Sequence, residues 1–120
     1  MRLAKHADLT AFTTLDGSTV REYANTEDQS LAEATVPPGV ATTAHFHRTS
    51  QELYLFTAGH GRMELDGEEV EVRVGDCVTI PPGAEHRLHN LSDCDPLVLL
   101  CCCAPPYSHE DTVLIEEGSD

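Results

Sequence analysis

The sequence has 120 residues, enough for one domain whose core needs no disulfide or structural metal to hold it together. Seven lysines and arginines stand against 21 aspartates and glutamates, giving a formal charge of −14. This charge argues against nucleic acid and anionic membrane surfaces as partners, because both would repel the chain. The longest apolar stretch, PLVLLCCCAPP, is too short to span a bilayer, and the first residues contain no apolar run. We therefore expect a cytoplasmic protein that binds neither nucleic acid nor a membrane.

Short predicted strands follow one another along the chain, separated by turn residues, which favours an all-β sandwich or barrel. The first pair is the hairpin AFTTLDGSTVREY, which turns at Asp16-Gly17. LAEATV alternates apolar and polar residues, and ELYLFTAG combines aromatic and aliphatic ones. A second hairpin, GRMELDGEEVEVRVGD, turns at Asp66-Gly67, where a type I′ turn is expected. CVTI follows, and the fully apolar run LVLLCCC is typical of a buried strand.

Five cysteines are present without a CxxC pair, which favours free thiols in a reducing compartment over a disulfide framework. Three are consecutive, Cys101 to Cys103, so neighbouring thiols face opposite sides of a strand. They are interpreted as small buried hydrophobic residues. The alternative is that a thiol points into a pocket. Cys101 and Cys103 share one face of the strand, so only one set of thiols can point inward.

The stretch HFHRTSQE contains three residues of the types that bind metals. Alternate residues of a strand face the same side, so His45 and His47 project together as a clamp for a transition metal. Glu52 begins the next strand, and a hairpin return can bring its carboxylate beside the two rings. His86 opens a later strand and can complete the set from across a barrel. An HxH pair alone is a weak signal, since most such pairs lie on the surface.

The spacing of these residues is more specific than the pair itself. One pattern is formed by Gly39, His45, His47, Glu52 and Gly59, and a second by Gly75, Pro81, Gly83, His86 and Asn90. Both resemble, without a gap or substitution, the two signature motifs of the cupin superfamily, at residues 39–59 and 75–90. The resemblance implies an all-β, single-domain jelly-roll barrel over residues 1–120. It also implies a metal inside the barrel, with His45, His47, Glu52 and His86 as its ligands. Asn90 is interpreted as a structural hydrogen-bonding residue.

Three imidazoles and one carboxylate leave coordination positions open, which suits Fe(II), Mn, Ni, Co or Cu and allows Zn. Cupins with this ligand set catalyse several kinds of reaction or only bind ligands, so fold and ligands do not choose the function. The first hypothesis is an Fe(II)-type dioxygenase with one divalent metal per chain and a small oxygen-bearing substrate. The alternatives are a non-redox isomerase, cyclase or lyase, and a module that binds a small ligand or the metal without catalysis.

Strand alternation also predicts the walls of the pocket. Tyr54 and Phe56 are expected to face inward, which makes the cavity largely apolar and aromatic, with the Tyr54 phenol as the candidate catalytic group. Three arginines lie near the motifs, but Arg48 and Arg87 should point away and Arg62 should lie on the surface. The lack of a cation clamp argues against a sugar-phosphate substrate and favours a small apolar or phenolic one.

The segment 104–120 is interpreted as a surface tail or as an edge that packs against a partner subunit. The alternative is that it folds over the mouth of the barrel, with Tyr107 or His109 near the opening. The family resemblance further implies a homodimer. Its candidate surfaces are the strand around Ala11–Leu15 and the apolar run at 97–103.

Overall fold

The computed structural model of the chain describes residues 1–115. A 3₁₀ turn at His6–Asp8 precedes the strands within this part of the chain. The strands are β1 (Phe12–Thr13), β2 (Thr19–Asn25), β3 (Ser30–Val36), β4 (His45–His47), β5 (Gln51–Ala58), β6 (His60–Leu65), β7 (Glu68–Arg73), β8 (Cys77–Ile80), β9 (His86–Asn90), β10 (Leu97–Ala104) and β11 (Thr112–Leu114). No helix in the described residues is long and apolar enough to cross a membrane.

The strands form two antiparallel sheets. One has six strands in the order β1-β2-β3-β10-β5-β8, and the other has five in the order β11-β4-β9-β6-β7. Strands far apart in sequence are neighbours in both sheets, as when β10 lies between β3 and β5. The predicted all-β jelly-roll fold is confirmed.

Both predicted hairpins are present, and the second has the predicted turn chemistry. Asp66 and Gly67 both have positive φ, 47° and 84°, as a type I′ turn requires at its two central positions. The turn joins β6 to β7, whose flanking residues Leu65 and Glu68 are paired. In the first hairpin, β1 is only two residues long and lies at the edge of the six-stranded sheet.

The core lies between the sheets and is formed by the inward residues of both. Its most deeply buried apolar side chains include Phe56, Met63, Ile80, Leu97 and Leu99. The alternation is clear in β5, where exposed and buried residues follow one another along the strand. Because Glu52 has the same parity as the buried residues of β5, its carboxylate is carried into the interior with them.

Asn90 connects the two sheets, as its structural interpretation requires. Its side-chain amide donates to the carbonyl of Val36 (3.0 Å), at the end of β3, and to that of Asp95 (2.8 Å). Its side-chain oxygen accepts from the backbone N–H of Ser92 at 3.0 Å. The buried amide therefore holds the loop before β10 against the end of β3.

Candidate metal centre

The four residues predicted as ligands lie together in the barrel. His45 and His47 project from β4, and His86, on the neighbouring strand β9, is paired directly with His45. One ligand atom from each of these residues and from Glu52 lies within 4.8 Å of the others. All four side chains are buried, with residue exposures of 2–4%.

Glu52 reaches the histidines by a different route from the one expected. The sequence suggested a hairpin return from β4, but β5 belongs to the six-stranded sheet and β4 to the five-stranded sheet. The carboxylate therefore faces the imidazoles across the interior. The chain crosses from one sheet to the other through a short connection, residues 48–50. The carboxylate of Asp111 holds this connection by accepting from the backbone N–H groups of Thr49 and Ser50.

The hydrogen bonds of two histidines determine which ring nitrogen carries the proton. Nδ1 of His45 lies 2.8 Å from the carbonyl of Thr43, and Nδ1 of His86 lies 2.9 Å from the carbonyl of Ala84. A carbonyl can only accept, so both Nδ1 atoms must be donors. In the neutral rings, Nε2 then has a free lone pair.

His47 has the same tautomer for a less direct reason. Its Nδ1 lies 3.0 Å from the hydroxyl of Thr112, on β11. That hydroxyl donates its own proton to the carbonyl of Ser108 at 2.8 Å, so it accepts from His47. Three imidazoles are therefore oriented with Nε2 toward the interior, as in metal sites whose ligands are fixed by outer hydrogen bonds.

This arrangement brings acceptors together without a donor. Glu52 Oε1 lies 3.1 Å from Nε2 of His47 and 3.5 Å from Nε2 of His86. Nε2 of His86 is buried and has no hydrogen-bond partner among the described residues. A buried polar atom without a partner is costly, and a divalent cation would satisfy all four ligand atoms at once. The residues present therefore fit a metal.

The protonation states of the site also suit a metal. Burial raises the pKa of Glu52, but the hydrogen bonds and positive charge that His47 and His86 supply when protonated outweigh burial and lower the pKa to about 2. Burial and then the neighbouring His86 lower the pKa of His45. Both groups are thus in their metal-binding forms at neutral pH, since ligands must be deprotonated.

A cavity of about 60 Å³ adjoins the cluster and is lined by three of its members, His45, His47 and Glu52. Apolar side chains from the six-stranded sheet form much of its wall, including Val20, Ala34, Val36 and Leu99. A single buried water occupies roughly 10–15 Å³ of such a cavity, so the cavity has room for a small organic molecule. A largely apolar pocket was predicted, and this is what the lining residues form.

The aromatic lining differs in part from the prediction. Tyr54 lines the cavity as expected, with its ring centroid 5.8 Å from that of His86. Phe56 lies behind it in the core, edge-on at 6.3 Å, while Phe12 and Tyr107 supply the other rings of the lining. Burial and then the charge of Glu52 raise the pKa of Tyr54 well above its usual range, so its hydroxyl remains protonated.

The charged lining is entirely acidic within residues 1–115. Asp16, Glu22 and Glu52 contribute carboxylates, and no lysine or arginine of this part of the chain lines the cavity. The predicted lack of a cation clamp is thus observed. Arg62 lies instead on the β6–β7 hairpin, 3.8 Å from a carboxylate oxygen of Glu69.

Asp16 is a site residue that the sequence did not identify. Its Oδ1 accepts from the hydroxyl of Thr14 and from the backbone N–H and hydroxyl of Ser18. Its Oδ2 faces the cavity, 3.8 Å from Nε2 of His45. A backbone hydrogen bond from Thr43 to the carbonyl of Asp16 holds the hairpin turn over β4. In the sequence, Asp-Gly signalled only a turn, and nothing indicated which strand the turn would cover.

The thiols and the tail also take part in the site. Cys101 and Cys103 both line the cavity, so the alternative of pocket-facing thiols describes the structure better than a purely apolar role. Tyr107 lines the mouth, with its ring 6.0 Å from that of His47 and its hydroxyl 3.0 Å from Nδ1 of His109. Within the described part of the predicted segment, Tyr107 and Thr112 line the cavity, and residues 116–120 lie outside the described residues.

Two facing antiparallel sheets around a buried cluster of three histidines and a glutamate define a cupin-type barrel. The cupin domain family model matches residues 32–103 of the chain. The chain belongs to the cupin family, and the resemblance inferred from its two motifs is confirmed.

The relatives include proteins both with and without an established activity. The chain is 46% identical over 110 residues to the uncharacterized protein MJ1618 of Methanocaldococcus jannaschii, covering 88% of this chain and 87% of that one. KdgF from Halomonas has a similar structure, with a TM-score of 0.80, 17% identity, and coverage of 92% and 97%. Pac13, a nucleoside dehydratase of Streptomyces, has a TM-score of 0.80, 18% identity, and coverage of 97% and 92%. At such low identity, the two solved structures show a common fold.

Proposed function

We propose that this chain is a metal-dependent enzyme that moves a proton on a small oxygen-bearing substrate. His45, His47, Glu52 and His86 hold one divalent metal ion. The observation that carries the proposal is the convergence of four acceptor atoms, one of them buried without a partner, beside a cavity. A bound divalent ion would act there as a Lewis acid on a substrate carbonyl or hydroxyl oxygen.

Asp16 is the proposed general base. Its Oδ1 is held by three donors, which fixes the carboxylate, while Oδ2 remains directed into the cavity. A fixed carboxylate with one free oxygen can accept a proton from a substrate seated against His45. Tyr54, the catalytic residue predicted from the sequence, serves in this proposal as a hydrogen-bond donor to the substrate from the opposite wall.

The substrate is proposed to be uncharged, with an apolar body and at least one oxygen. Carboxylates of Asp16 and Glu22 face the same cavity as Glu52, and no cation of the described residues offsets them. A divalent ion would offset two of these three negative charges, so a phosphate or a dicarboxylate would still meet a net negative wall without an arginine or lysine to bind it. The apolar wall suits the remainder of the substrate.

An Fe(II)-dependent dioxygenase is the second candidate. The donor set favours it, because three imidazole nitrogens and one carboxylate oxygen with open positions suit Fe(II) as well as a non-redox ion. Asp16 favours the proton-transfer reaction, since a fixed carboxylate with a free oxygen is the group that such a reaction requires. A binding module without catalysis gains no support from a carboxylate held in this way.

Elemental analysis of the purified protein tests the metal and separates the two candidates. Near-stoichiometric zinc or manganese supports the proton-transfer enzyme. Iron or copper, together with oxygen uptake on addition of small phenolic or hydroxylated substrates, supports the dioxygenase. A chain that binds none of these metals, even after anaerobic reconstitution, would contradict both.

Replacing Asp16 with asparagine is expected to remove proton transfer without removing the metal. The metal-loaded protein is incubated in D₂O with a panel of uncharged hydroxyketones, and deuterium incorporation next to the carbonyl is followed by NMR. Loss of a general base lowers such a rate by roughly 100-fold or more. Glu22→Gln is the matched control, because it removes a second carboxylate of the cavity lining, one that accepts a hydrogen bond from the side-chain amide of Asn25. Equal exchange by Asp16→Asn and the parent protein would exclude Asp16 as the base.

The homodimer predicted from the resemblance and the cytoplasmic location predicted from the composition also remain part of the proposal. β10 is hydrogen-bonded to β3 and β5 on its two sides, so the run at 97–103 can contribute only its outer face. There, Leu53 and Leu55 of β5 are 39% and 40% exposed beside the outward residues of β10. β1 lies at one edge of the six-stranded sheet and could pair with a partner strand there. Light scattering should give twice the chain mass of 13.1 kDa, and a monomer at micromolar concentration would contradict the dimer.

A further inference from the structure

We infer that Cys103 is a positioning residue for the metal centre, and that its thiol determines which oxygen of Glu52 faces the three histidines. The inference deepens the proposed function, because it assumes that the four-residue cluster binds a metal. The contact that suggests it is short and buried. Sγ of Cys103 lies 3.2 Å from Oε2 of Glu52, and both residues are nearly inaccessible, at 2% and 4% exposure.

The strand register makes this contact a fixed feature of the fold. β10 and β5 are antiparallel neighbours, and Cys103 is paired directly with Glu52. Directly opposed residues have side chains on the same face of the sheet, with Cβ atoms about 5 Å apart. The thiol is therefore held next to the carboxylate by backbone pairing, whatever occupies the cavity.

The direction of the hydrogen bond follows from the chemistry of the two groups. An ionised carboxylate only accepts, so the thiol is the donor. Oε2 is thereby occupied, while Oε1 lies 3.1 Å and 3.5 Å from Nε2 of His47 and His86. The two oxygens of Glu52 are thus assigned different partners, one from each sheet. This favours coordination through Oε1 alone and leaves more positions on the ion open for substrate.

Without the thiol, Oε2 would have no donor among the described residues. The carboxylate could then rotate so that both oxygens approach the imidazoles, or tilt away from them. Outer groups that orient a ligand commonly contribute about 10- to 100-fold to metal affinity. Cys103 is thus equivalent in role to Thr43, Ala84 and Thr112, which orient the three imidazoles through Nδ1.

Cys101 provides a matched control. It lies two residues earlier on the same face of β10 and also lines the cavity, but it is paired with Tyr54 instead of Glu52. Replacing it with alanine removes a cavity thiol while leaving the hydrogen bond to Glu52 in place. The pair of variants therefore separates loss of a thiol from loss of this particular contact.

The test is Co(II) binding by the full chain and its Cys101→Ala, Cys103→Ala and Cys103→Ser variants. Affinity is measured by calorimetry, and the visible absorption bands of bound Co(II) report its coordination. We expect Cys103→Ala to bind about 10- to 100-fold more weakly and with altered bands. Cys101→Ala should match the parent, and Cys103→Ser should recover most of the affinity, because its hydroxyl can donate in the same position.

The outcomes distinguish this inference from the proposed function. If the parent protein binds no Co(II), the metal centre itself is wrong. If the parent binds and Cys103→Ala binds with equal affinity and an unchanged spectrum, only the positioning role is overturned. Equal weakening by Cys101→Ala and Cys103→Ala would also overturn it, because the effect would then come from the loss of any cavity thiol. Circular dichroism of each variant confirms that the barrel is folded.

Discussion

His86→Ala is expected to lose stoichiometric metal while its barrel stays folded. The imidazole is one of four ligands, and its Nε2 is the buried atom for which the described protein offers no other partner. In the alanine variant three of the four ligands remain, and the coordination position on the side of β9 has no protein ligand. We expect affinity for Zn(II) or Co(II) to fall by roughly 100-fold or more, because even an outer partner of a ligand contributes 10- to 100-fold.

Thermal unfolding provides an independent measurement of the same change. A metal present at about 100 times its Kd stabilises the native state by roughly 2.7 kcal/mol. For a domain of this size, that corresponds to a rise in Tm of roughly 10 °C. Addition of EDTA should remove this increment from the parent protein and change the Tm of His86→Ala by no more than about 2 °C, because a roughly 100-fold weaker site is at most half-saturated at the same metal concentration.

His60→Ala is the control for the ligand variant, because His60 is exposed at the start of β6 and lies outside the cavity lining. It should retain both the metal and the response to EDTA. Full metal occupancy in His86→Ala would contradict the four-ligand assignment. A lost β spectrum in metal-free His86→Ala, with a folded metal-free parent, would mean that the imidazole is needed for the fold itself.

Gly59→Ala is expected to be the most destabilising single-methyl substitution in the turns. Gly59 joins β5 to β6 with φ of +80°, and a Cβ there would lie 2.4 Å from the carbonyl oxygen of Pro96 and 3.1 Å from Cα of Leu97. Both atoms belong to the backbone at the start of β10, so neither can move without disturbing the central strand. We expect a loss of about 4 kcal/mol or more in the free energy of unfolding, from overpacking and backbone strain together.

Gly75→Ala is the matched control for this effect. Gly75 also has a positive φ, +93°, but a Cβ there would meet no atom within 4 Å. Its substitution should cost only the conformational strain, on the order of 1–3 kcal/mol. Urea denaturation of both variants measures the difference. Equal losses would show that the close approach to β10 contributes nothing and that the turn conformation alone requires glycine at position 59.

The metal cluster was predictable from the sequence to the extent that it depends on strand periodicity and motif spacing. His45 and His47 face the same side because the side-chain period of a strand is two. His86 and Glu52 are assigned through the resemblance of their spacing to the two cupin motifs. The same reasoning correctly brought Tyr54 to the cavity, but it also brought Phe56 there. Periodicity predicts which side chains of a strand face the interior. It does not predict which of them line the cavity and which, like Phe56, are packed in the core beyond it.

The residues that the sequence did not predict are those whose partners come from distant segments. Asp16 reaches His45 because a hairpin turn folds over β4, a contact across almost 30 positions. Thr112 orients His47 from 65 positions away, and Cys103 contacts Glu52 from 51 positions away. None of these pairs has a local spacing that could indicate it, since each depends on which strands become neighbours.

The sequence by itself determined the class of fold, the motif residues and the chemistry that they can support. Turn residues, alternation and ligand types are local properties, which each segment carries wherever it lies. The tertiary structure alone decided that Glu52 approaches from the opposite sheet, and that Asp16 and Glu22 bring further carboxylates to the cavity wall. The physical reason is that strand order and register select the partner of each inward side chain, and non-local pairing is not encoded in the spacing of any one segment.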